Sequence, residues 1–209
     1  MLKILKYSFY DLIRSRWSYV YLLFYLALGF VMLYLNNDLS KAVITFMNII
    51  IILVPLISTI FGVMYYYNSQ EFTELLLAQP ISRKAIFMGQ YLGVGLSLTL
   101  SLVLGLGIPF LIYGLTTSSA IWDFSLLLIT GAFLTLIFTA LAFNIAVRND
   151  NKIRGFGYAV LLWLFMAVIY DGLFLLSLIA FQEYPLDSFS LTATLLNPID
   201  LSRTLILLE

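Results

Sequence analysis

Apolar residues fill most of the chain in long runs, and short polar segments separate these runs. About 20 apolar residues cross the hydrocarbon core of a bilayer as one helix, and five runs reach about that length. The five predicted spans cover residues 17–35, 42–67, 85–113, 124–147 and 156–181. The pattern therefore predicts an all-α polytopic membrane protein whose transmembrane domain extends over residues 17–181.

Residues 1–16 form an amphipathic segment ahead of the first span. Apolar side chains recur in it at helical spacing, namely at Leu2, Leu5, Phe9, Leu12 and Ile13. Basic side chains fall mostly on other faces of the helix, namely at Lys3, Lys6 and Arg14. Such a helix can lie along the membrane with its basic groups toward anionic headgroups, and we expect this on the cytoplasmic side. An ordinary charged flank of the first span is the alternative.

The composition narrows the class of protein further. Of the 209 residues, 62% are hydrophobic and 11% are charged, and the net charge is zero. These values exclude a soluble enzyme, a nucleic-acid-binding protein and a disordered chain. The sequence contains neither His nor Cys, which excludes disulfides and His/Cys metal sites. It also lacks the Gly-x4-Gly-Lys-Ser/Thr motif of P-loop ATPases, so we expect this chain to bind no cofactor or metal of its own.

Lysine and arginine are distributed unevenly between the predicted loops. Nine of the eleven lie in the N-terminal segment, in residues 68–84 and in residues 148–154. With five spans, these three segments share one side of the membrane. The positive-inside rule therefore places the N-terminus in the cytoplasm and residues 182–209 outside.

The tail, residues 182–209, contains a predicted helix start. Asn197 can cap the helix, Pro198 suits the first helical position, and Asp200 favours the positive end of the helix dipole. The apolar run that follows stops at Glu209. Either the tail forms a short external helix or the chain breaks off before a sixth span, and we favour the second interpretation.

The polar segment 68–84, between the second and third spans, is the most informative loop. Residues 71–78 predict a short amphipathic helix with two acidic residues and a cluster of leucines. Pro80 disfavours helix at the residue before it, and Ser82 can cap the next helix. The segment either forms a helix that a cytoplasmic partner binds or is a loop that lies on the membrane. The spacing of its residues does not decide between these two interpretations.

Residues 71–91, EFTELLLAQPISRKAIFMGQY, resemble the first cytoplasmic loop of ABC-2-type transporter permeases. In that family an acidic residue, a Leu-Leu run and a Pro-x-Ser-Arg segment form the coupling helix on which the ATPase subunit sits. The resemblance implies that ten residues couple to an ATPase: Glu71, Phe72, Thr73, Glu74, Leu75, Leu76, Gln79, Pro80, Ser82 and Arg83. It also implies the type V exporter fold, which has six spans, so the sixth is missing from the five found here.

Two further segments are similar to permeases of nitrous oxide reductase maturation within that family. They are residues 168–176, VIYDGLFLL, and residues 195–208, LLNPIDLSRTLILL. The resemblance implies a permease subunit of the bacterial inner membrane that forms a homodimer, binds a cytoplasmic ABC ATPase carrying ATP and Mg²⁺, and has a periplasmic accessory protein as a further partner. Its cargo would support copper-site assembly. A permease for a lipid, a drug or a peptide, and a membrane anchor without transport, are the alternatives.

Asp171 is the one acidic residue well inside a predicted span. A carboxylate in hydrocarbon is costly, so we expect it to face the bundle interior or a wet cavity. It either lies on a transport pathway or hydrogen-bonds a neighbouring Tyr, Ser or Thr and fixes helix packing. An intramembrane enzyme would need a second reactive group beside it, and the sequence offers none.

Small residues recur every four positions along the third span. They are Ala85, Gly89, Gly93, Ser97, Ser101 and Gly105. Small side chains at this spacing let two helix backbones approach closely. The spacing predicts a packing face within the subunit or between two subunits, and packing within the subunit is favoured.

Overall fold

The structure is a computed structural model that describes residues 1–36, 39–115, 118, 120–181 and 187–207. Helices account for nearly all of these residues, and no strand occurs in the described ranges. In chain order the helices are α1 (Leu2–Arg14), α2 (Arg16–Leu35), α3 (Leu39–Asn68), α4 (Gln70–Leu77), α5 (Arg83–Ile112), α6 (Ile121–Val147), α7 (Lys152–Leu164), α8 (Tyr170–Ala180), α9 (Asp187–Leu196) and α10 (Pro198–Leu207). A π-helical turn, Phe165–Ile169, joins α7 to α8.

Within the described residues, five helical stretches are long and apolar enough to cross a membrane. They comprise α2, most of α3, α5, α6 and the continuous segment from α7 through α8, Lys152–Ala180. Helices surrounded by lipid are apolar on every face, which explains why these stretches lack the polar side of a surface helix. The prediction of an all-α polytopic membrane protein is confirmed.

Helices α3 and α6 form the centre of the bundle. Gly62 of α3 permits their close approach, because a Cβ atom there would lie 2.8 Å from the Cβ of Ala142. Phe46 of α3 and Phe138 of α6 are fully buried. The fifth span packs at one side of this centre, where the indole N–H of Trp163 donates to a carbonyl of α3 at 3.2 Å, and most of its surface is exposed.

Helix α1 packs against the first half of α5 through a narrow face. Ile4, Ser8 and Leu12 are buried on that face, whereas Leu2 is 80% exposed. The face that packs on α5 therefore differs from the apolar face through Leu2 and Leu5 that is predicted to lie along the membrane. The reason is steric, because the small Ser8 side chain lies against a glycine of α5 and lets the two backbones come close.

Helix α10 begins at the residue predicted from the sequence. The backbone N–H of Ile199 donates to Asn197 Oδ1 at 3.1 Å, which confirms the helix cap, and Pro198 is the first helical residue. Ile199 is fully buried in the apolar core, so α10 packs against α3 and α6. Residues 182–186 and 208–209 of the predicted tail lie outside the described part of the chain.

Candidate functional site

The short helix α4 lies between α3 and α5, and its inner face is attached to the rest of the fold. Thr73 and Leu76 are buried on this face. The Gln90 side-chain amide donates to Thr73 Oγ1 at 2.8 Å. Leu76 packs in an apolar cluster with Ile4 of α1 and Ile86 of α5. Helix α4 is therefore anchored to α1 and to the beginning of α5.

Two further contacts connect α4 to its neighbours. The Phe72 ring stacks on the Tyr7 ring of α1, with centroids 4.5 Å apart and planes inclined by 25°. The backbone runs from α3 into α4 almost without a break, since Thr73 N–H donates to the Ser69 carbonyl at 2.9 Å and Ser69 N–H donates to the Tyr65 carbonyl at 2.9 Å. A force applied to α4 would reach α1, α3 and α5.

The outer face of α4 and the segment that follows it are exposed. Leu75 is 68% exposed and stands beside two exposed carboxylates. Of the ten residues expected to couple to an ATPase, seven are exposed: Glu71, Glu74, Leu75, Gln79, Pro80, Ser82 and Arg83. Phe72 is partly buried by its stacking contact, and Thr73 and Leu76 face the interior. Thr73 and Leu76 therefore attach α4 to α1 and α5, whereas the exposed residues remain accessible to a partner.

Ser82 lies at the N-cap position of α5, but its hydroxyl makes no capping hydrogen bond. The Ser82 carbonyl accepts the Ala85 N–H at 2.9 Å, as in the first turn of any helix. The predicted side-chain cap is therefore wrong. The Ser82 side chain is exposed.

Replacing Thr73 with Val is expected to loosen α4 without changing its volume. The Gln90 amide would stay buried without its partner, and an unsatisfied buried donor costs about 1.5 kcal/mol. Amide hydrogen exchange over residues 70–77 should then be about tenfold faster. The matched control is Thr45→Val on α3, where the hydroxyl bonds only an exposed carbonyl of its own helix. Equal rates of amide hydrogen exchange over residues 70–77 in the two variants would contradict the conclusion that Thr73 attaches α4 to α5.

Asp171 of α8 forms an ion pair with Arg203 of α10. The distance from Arg203 Nη1 to Asp171 Oδ2 is 2.8 Å, and the same nitrogen lies 3.7 Å from Asp200 Oδ1. The Asp171 side chain is 26% exposed and the Arg203 side chain 33%. The partner of Asp171 is thus a cation from the tail, and not the Tyr, Ser or Thr named in the packing alternative.

Asn197 connects this ion pair to the π-helical turn. Its side-chain amide donates to the Met166 carbonyl and to Asp200 Oδ2, each at 2.8 Å. Burial is the main cause of a raised pKa for Asp200, and the hydrogen bond from Asn197 opposes it. Helix α10 is therefore fastened to the fifth span at the point where that span departs from α-helical geometry.

The small residues of α5 form the surface on which α1 and α2 pack, α1 toward the beginning of α5 and α2 toward its end. A Cβ atom at Gly93 would lie 2.7 Å from the Cβ of Ser8 in α1. A Cβ atom at Gly105 would lie 2.7 Å from the Cβ of Tyr25 in α2. Three more members of the predicted stripe are buried: Gly89, Ser97 and Ser101. Gly93 and Gly105 of the stripe thus contact other helices of the same chain.

Sequence reasoning missed the pairing of Asp171 with Arg203. A usable signal existed, because a carboxylate inside an apolar span calls for a cation and Arg203 is the basic residue of the tail. The π-helical turn carried no such signal, since Phe165–Ile169 is as apolar as the helix around it.

The fold and these two sites define an integral, multi-pass helical membrane protein with an anchored, acidic helix exposed at one end of the bundle. Its sequence is similar to two curated proteins. It is 30% identical over 135 residues to the probable ABC transporter permease protein NosY of Stutzerimonas stutzeri. It is 30% identical over 138 residues to the protein of that name from Pseudomonas aeruginosa.

Each of these two alignments covers 62% of this chain and 49% of the relative. The chain therefore spans about half the length of the curated relatives it matches. No protein-family model matches the chain. The expected resemblance to ABC transporter permeases of the NosY type is confirmed.

Proposed function

We propose that the chain acts as the permease subunit of an ATP-driven ABC-2-type exporter and that α4 is its coupling helix. The observation that carries the proposal is the anchored helix with an exposed face of Glu71, Glu74 and Leu75. Anchoring matters because a helix that moved freely could not transmit force. ATP hydrolysis would take place on a separate ABC ATPase with its own ATP and Mg²⁺, since this chain lacks a P-loop.

The contacts of α4 suggest how the motion of an ATPase enters the membrane domain. Closure of two ATPases would push the outer face of α4. The stacked Phe72 and Tyr7 rings would pass the displacement to α1, and the hydrogen bond between Thr73 and Gln90 would pass it to α5. Since α1 and α2 both pack on α5, these helices would move together against α3 and α6. Two copies of the subunit would enclose the substrate path, which leads outward.

We place the N-terminus in the cytoplasm and the protein in the bacterial inner membrane. The support is that the basic segments meet at one end of the bundle. The Tyr67 hydroxyl at the end of α3 donates to the Asn149 carbonyl in the loop between α6 and α7 at 2.6 Å. Lys152 Nζ donates to Asn68 Oδ1 at 3.1 Å beside it. A cluster of positive charge at one end favours the cytoplasmic side.

The substrate is proposed to serve copper-site assembly in periplasmic nitrous oxide reductase. The support is the similarity of residues 168–176 and 195–208 to permeases of that maturation system, together with the name of the two relatives. The chain contains neither His nor Cys, so a sulfur-containing species is a better cargo than copper held by this subunit. A periplasmic accessory protein would receive it.

The double variant Glu71→Ala/Glu74→Ala is expected to lose its ABC ATPase. The two carboxylates provide the charge of the exposed face, and contacts of charged groups at an interface commonly contribute about 2 kcal/mol or more each. Co-purification of the co-expressed ATPase with the variant should fall at least tenfold while the yield of the permease stays the same.

Asp150→Ala is the matched control, because Asp150 is an exposed acid at the same end of the bundle but outside α4. It should retain the ATPase. An ATPase that still binds the double variant would rule out α4 as the coupling helix. An ATPase that binds but is never stimulated by any substrate in reconstituted vesicles would favour a membrane anchor without transport.

A further inference from the structure

Arg203 of α10 lies between two carboxylates and hydrogen-bonds one of them. Its Nη1 nitrogen donates to Asp171 Oδ2 at 2.8 Å and lies 3.7 Å from Asp200 Oδ1. Asp171 belongs to α8, whereas Asp200 precedes Arg203 by three residues on the same helix, a spacing at which opposite charges can pair. The guanidinium therefore has two carboxylates within reach, and only its pair with Asp171 joins α10 to another helix.

Asp200 is buried, and one of its two oxygens has no hydrogen bond. The residue is 6% exposed. Its Oδ2 atom accepts from the Asn197 side-chain amide at 2.8 Å, but its Oδ1 atom has no hydrogen-bond partner among the described residues. Two carboxylates thus share one guanidinium, so an ionised Asp200 leaves one negative charge without a counterion. Because a buried charge of this kind is costly, a proton on Asp200 would stabilise the site.

The surroundings of Asp200 point in the same direction. Asp171 and Arg203 are the charged groups that act on it within the described residues, and burial raises the pKa of Asp200 most. Tyr170 of α8 donates its hydroxyl to a carbonyl of α9. Helices α3, α6 and α9 also pack against α10. Their charged residues lie within the first three positions of each helix, and the tyrosines of α3 lie in its last turn: Lys41, Asp123, Asp187, Tyr65, Tyr66 and Tyr67.

We propose that Asp200 binds a proton and that this proton determines which carboxylate Arg203 pairs with. While Asp200 is protonated, Arg203 stays on Asp171 and holds the later part of α10 against α8. When the O–H bond of Asp200 breaks, the proton passes to water, which reaches the partly exposed side chains of Asp171 and Arg203. The new carboxylate then attracts Arg203 to its own helix, and the contact between α8 and α10 is lost.

The beginning of α10 stays in place during this change. Asn197 donates to the Met166 carbonyl at 2.8 Å, and Ile199 is fully buried. Both contacts lie within the first residues of the helix and do not involve Arg203. Loss of the ion pair would therefore move the end of α10 away from α8 while its first turn remains attached. The movement depends on α8 and α10 and requires neither the ATPase nor α4.

The sign of the pH dependence follows from linkage. The attached state holds the proton more strongly than the released state, so each unit rise in pH between their two pKa values shifts the equilibrium toward release by up to about tenfold. The chain contains neither His nor Cys. No side chain with an ordinary pKa therefore titrates between about pH 5 and pH 7, and a pH response in this range belongs to a shifted group.

The distance between α8 and α10 tests the proposal. Because the chain has no Cys, Leu176→Cys with Leu205→Cys gives two unique spin-labelling sites at exposed positions. Double electron–electron resonance on the full chain, diluted with unlabelled protein, should show one short distance at about pH 5. At about pH 7 a longer distance should appear, with its ratio to the short one about tenfold higher.

Two variants and one control assign the response to Asp200. Asp200→Asn imitates the protonated form and should keep the short distance at both pH values. Asp171→Asn leaves Arg203 with Asp200 alone and should give the longer distance at both. Asp150→Asn removes an exposed acid at the other end of the bundle and should respond to pH as the labelled parent does.

The labelled parent chain is informative by itself, so the result does not depend on whether a variant folds. A distance that stays constant between the two pH values would overturn the proposal, as would release on acidification. A pH response that persists in Asp200→Asn would also overturn it. A change of distance when Na⁺ replaces K⁺ at constant pH would show that the site binds a metal cation in place of a proton.

Discussion

Replacing Gly93 with Leu is expected to cost the protein its folded state. Even a Cβ atom at this position would lie 2.7 Å from the Cβ of Ser8, 3.0 Å from the Leu5 carbonyl oxygen and 3.1 Å from the Phe9 nitrogen. Two of these three contacts are with backbone atoms, which cannot turn aside as a side chain can. Helix α1 would have to leave α5, at a cost of about 3 kcal/mol or more.

The matched control is Gly107→Leu on the same helix, since a Cβ atom at Gly107 would meet nothing within 4 Å. Both variants change a glycine to leucine within α5, so the intrinsic helix preference changes equally. Size-exclusion chromatography of the detergent-solubilised protein should give a monodisperse peak for the control and little or none for Gly93→Leu. Similar peaks for both would mean that α1 is not packed on α5 as described.

Reversal of one charge in the ion pair between α8 and α10 is the second change expected to have a large effect. Asp171→Arg would bring two guanidinium groups together, and the pair is neither fully buried nor fully exposed. We expect a loss of about 2 kcal/mol, between the values for exposed and for buried ion pairs. Helix α10 should come away from the fifth span, and protease sensitivity over residues 187–207 should rise.

The exchanged pair, Asp171→Arg with Arg203→Asp, separates the pairing from the individual residues. If the ion pair holds the two helices, the double variant should regain much of the stability that Asp171→Arg loses. No recovery would assign the effect to Asp171 alone. Asp171→Asn adds a functional measurement: full assembly with lost transport would support a place on the substrate path, and unchanged transport would leave Asp171 with a packing role.

The spans and the short helix α4 could be predicted because they depend on local patterns. A run of about 20 apolar residues is long enough to span the hydrocarbon core as a helix, whichever other helices it packs against. Likewise, the cap at Asn197 and the helix start at Pro198 depend on backbone groups within a few residues. These features followed from the sequence alone.

The faces that the helices bury could not be predicted in the same way, because they depend on distant residues. Apolar periodicity placed Leu2 on a face of α1 that lies along the membrane, and it did not show which residues of α1 pack on α5. There the opposing helix offers a glycine, and the small Ser8 fits against it. All ten residues of the recognised motif were expected to couple to an ATPase, with no distinction between those that face inward and those that face outward. The hydrogen bond from Gln90 to Thr73 joins residues 17 positions apart. No local pattern in an eight-residue helix shows which of its faces such a distant residue will bury.

The π-helical turn determines the direction in which Asp171 points. An α-helix turns about 100° per residue, and a π-helical turn takes one more residue into a turn than an α-helix does. If Phe165–Ile169 were regular α-helix, the rest of the fifth span would be rotated by about 100° around the helix axis. The Asp171 carboxylate would then no longer point at Arg203, which α10 holds against α3 and α6. The wider turn also presents the Met166 carbonyl to Asn197. The charge pairing is thus a property of the helical register, and a one-residue deletion anywhere in that turn would break it while leaving every charged side chain in place.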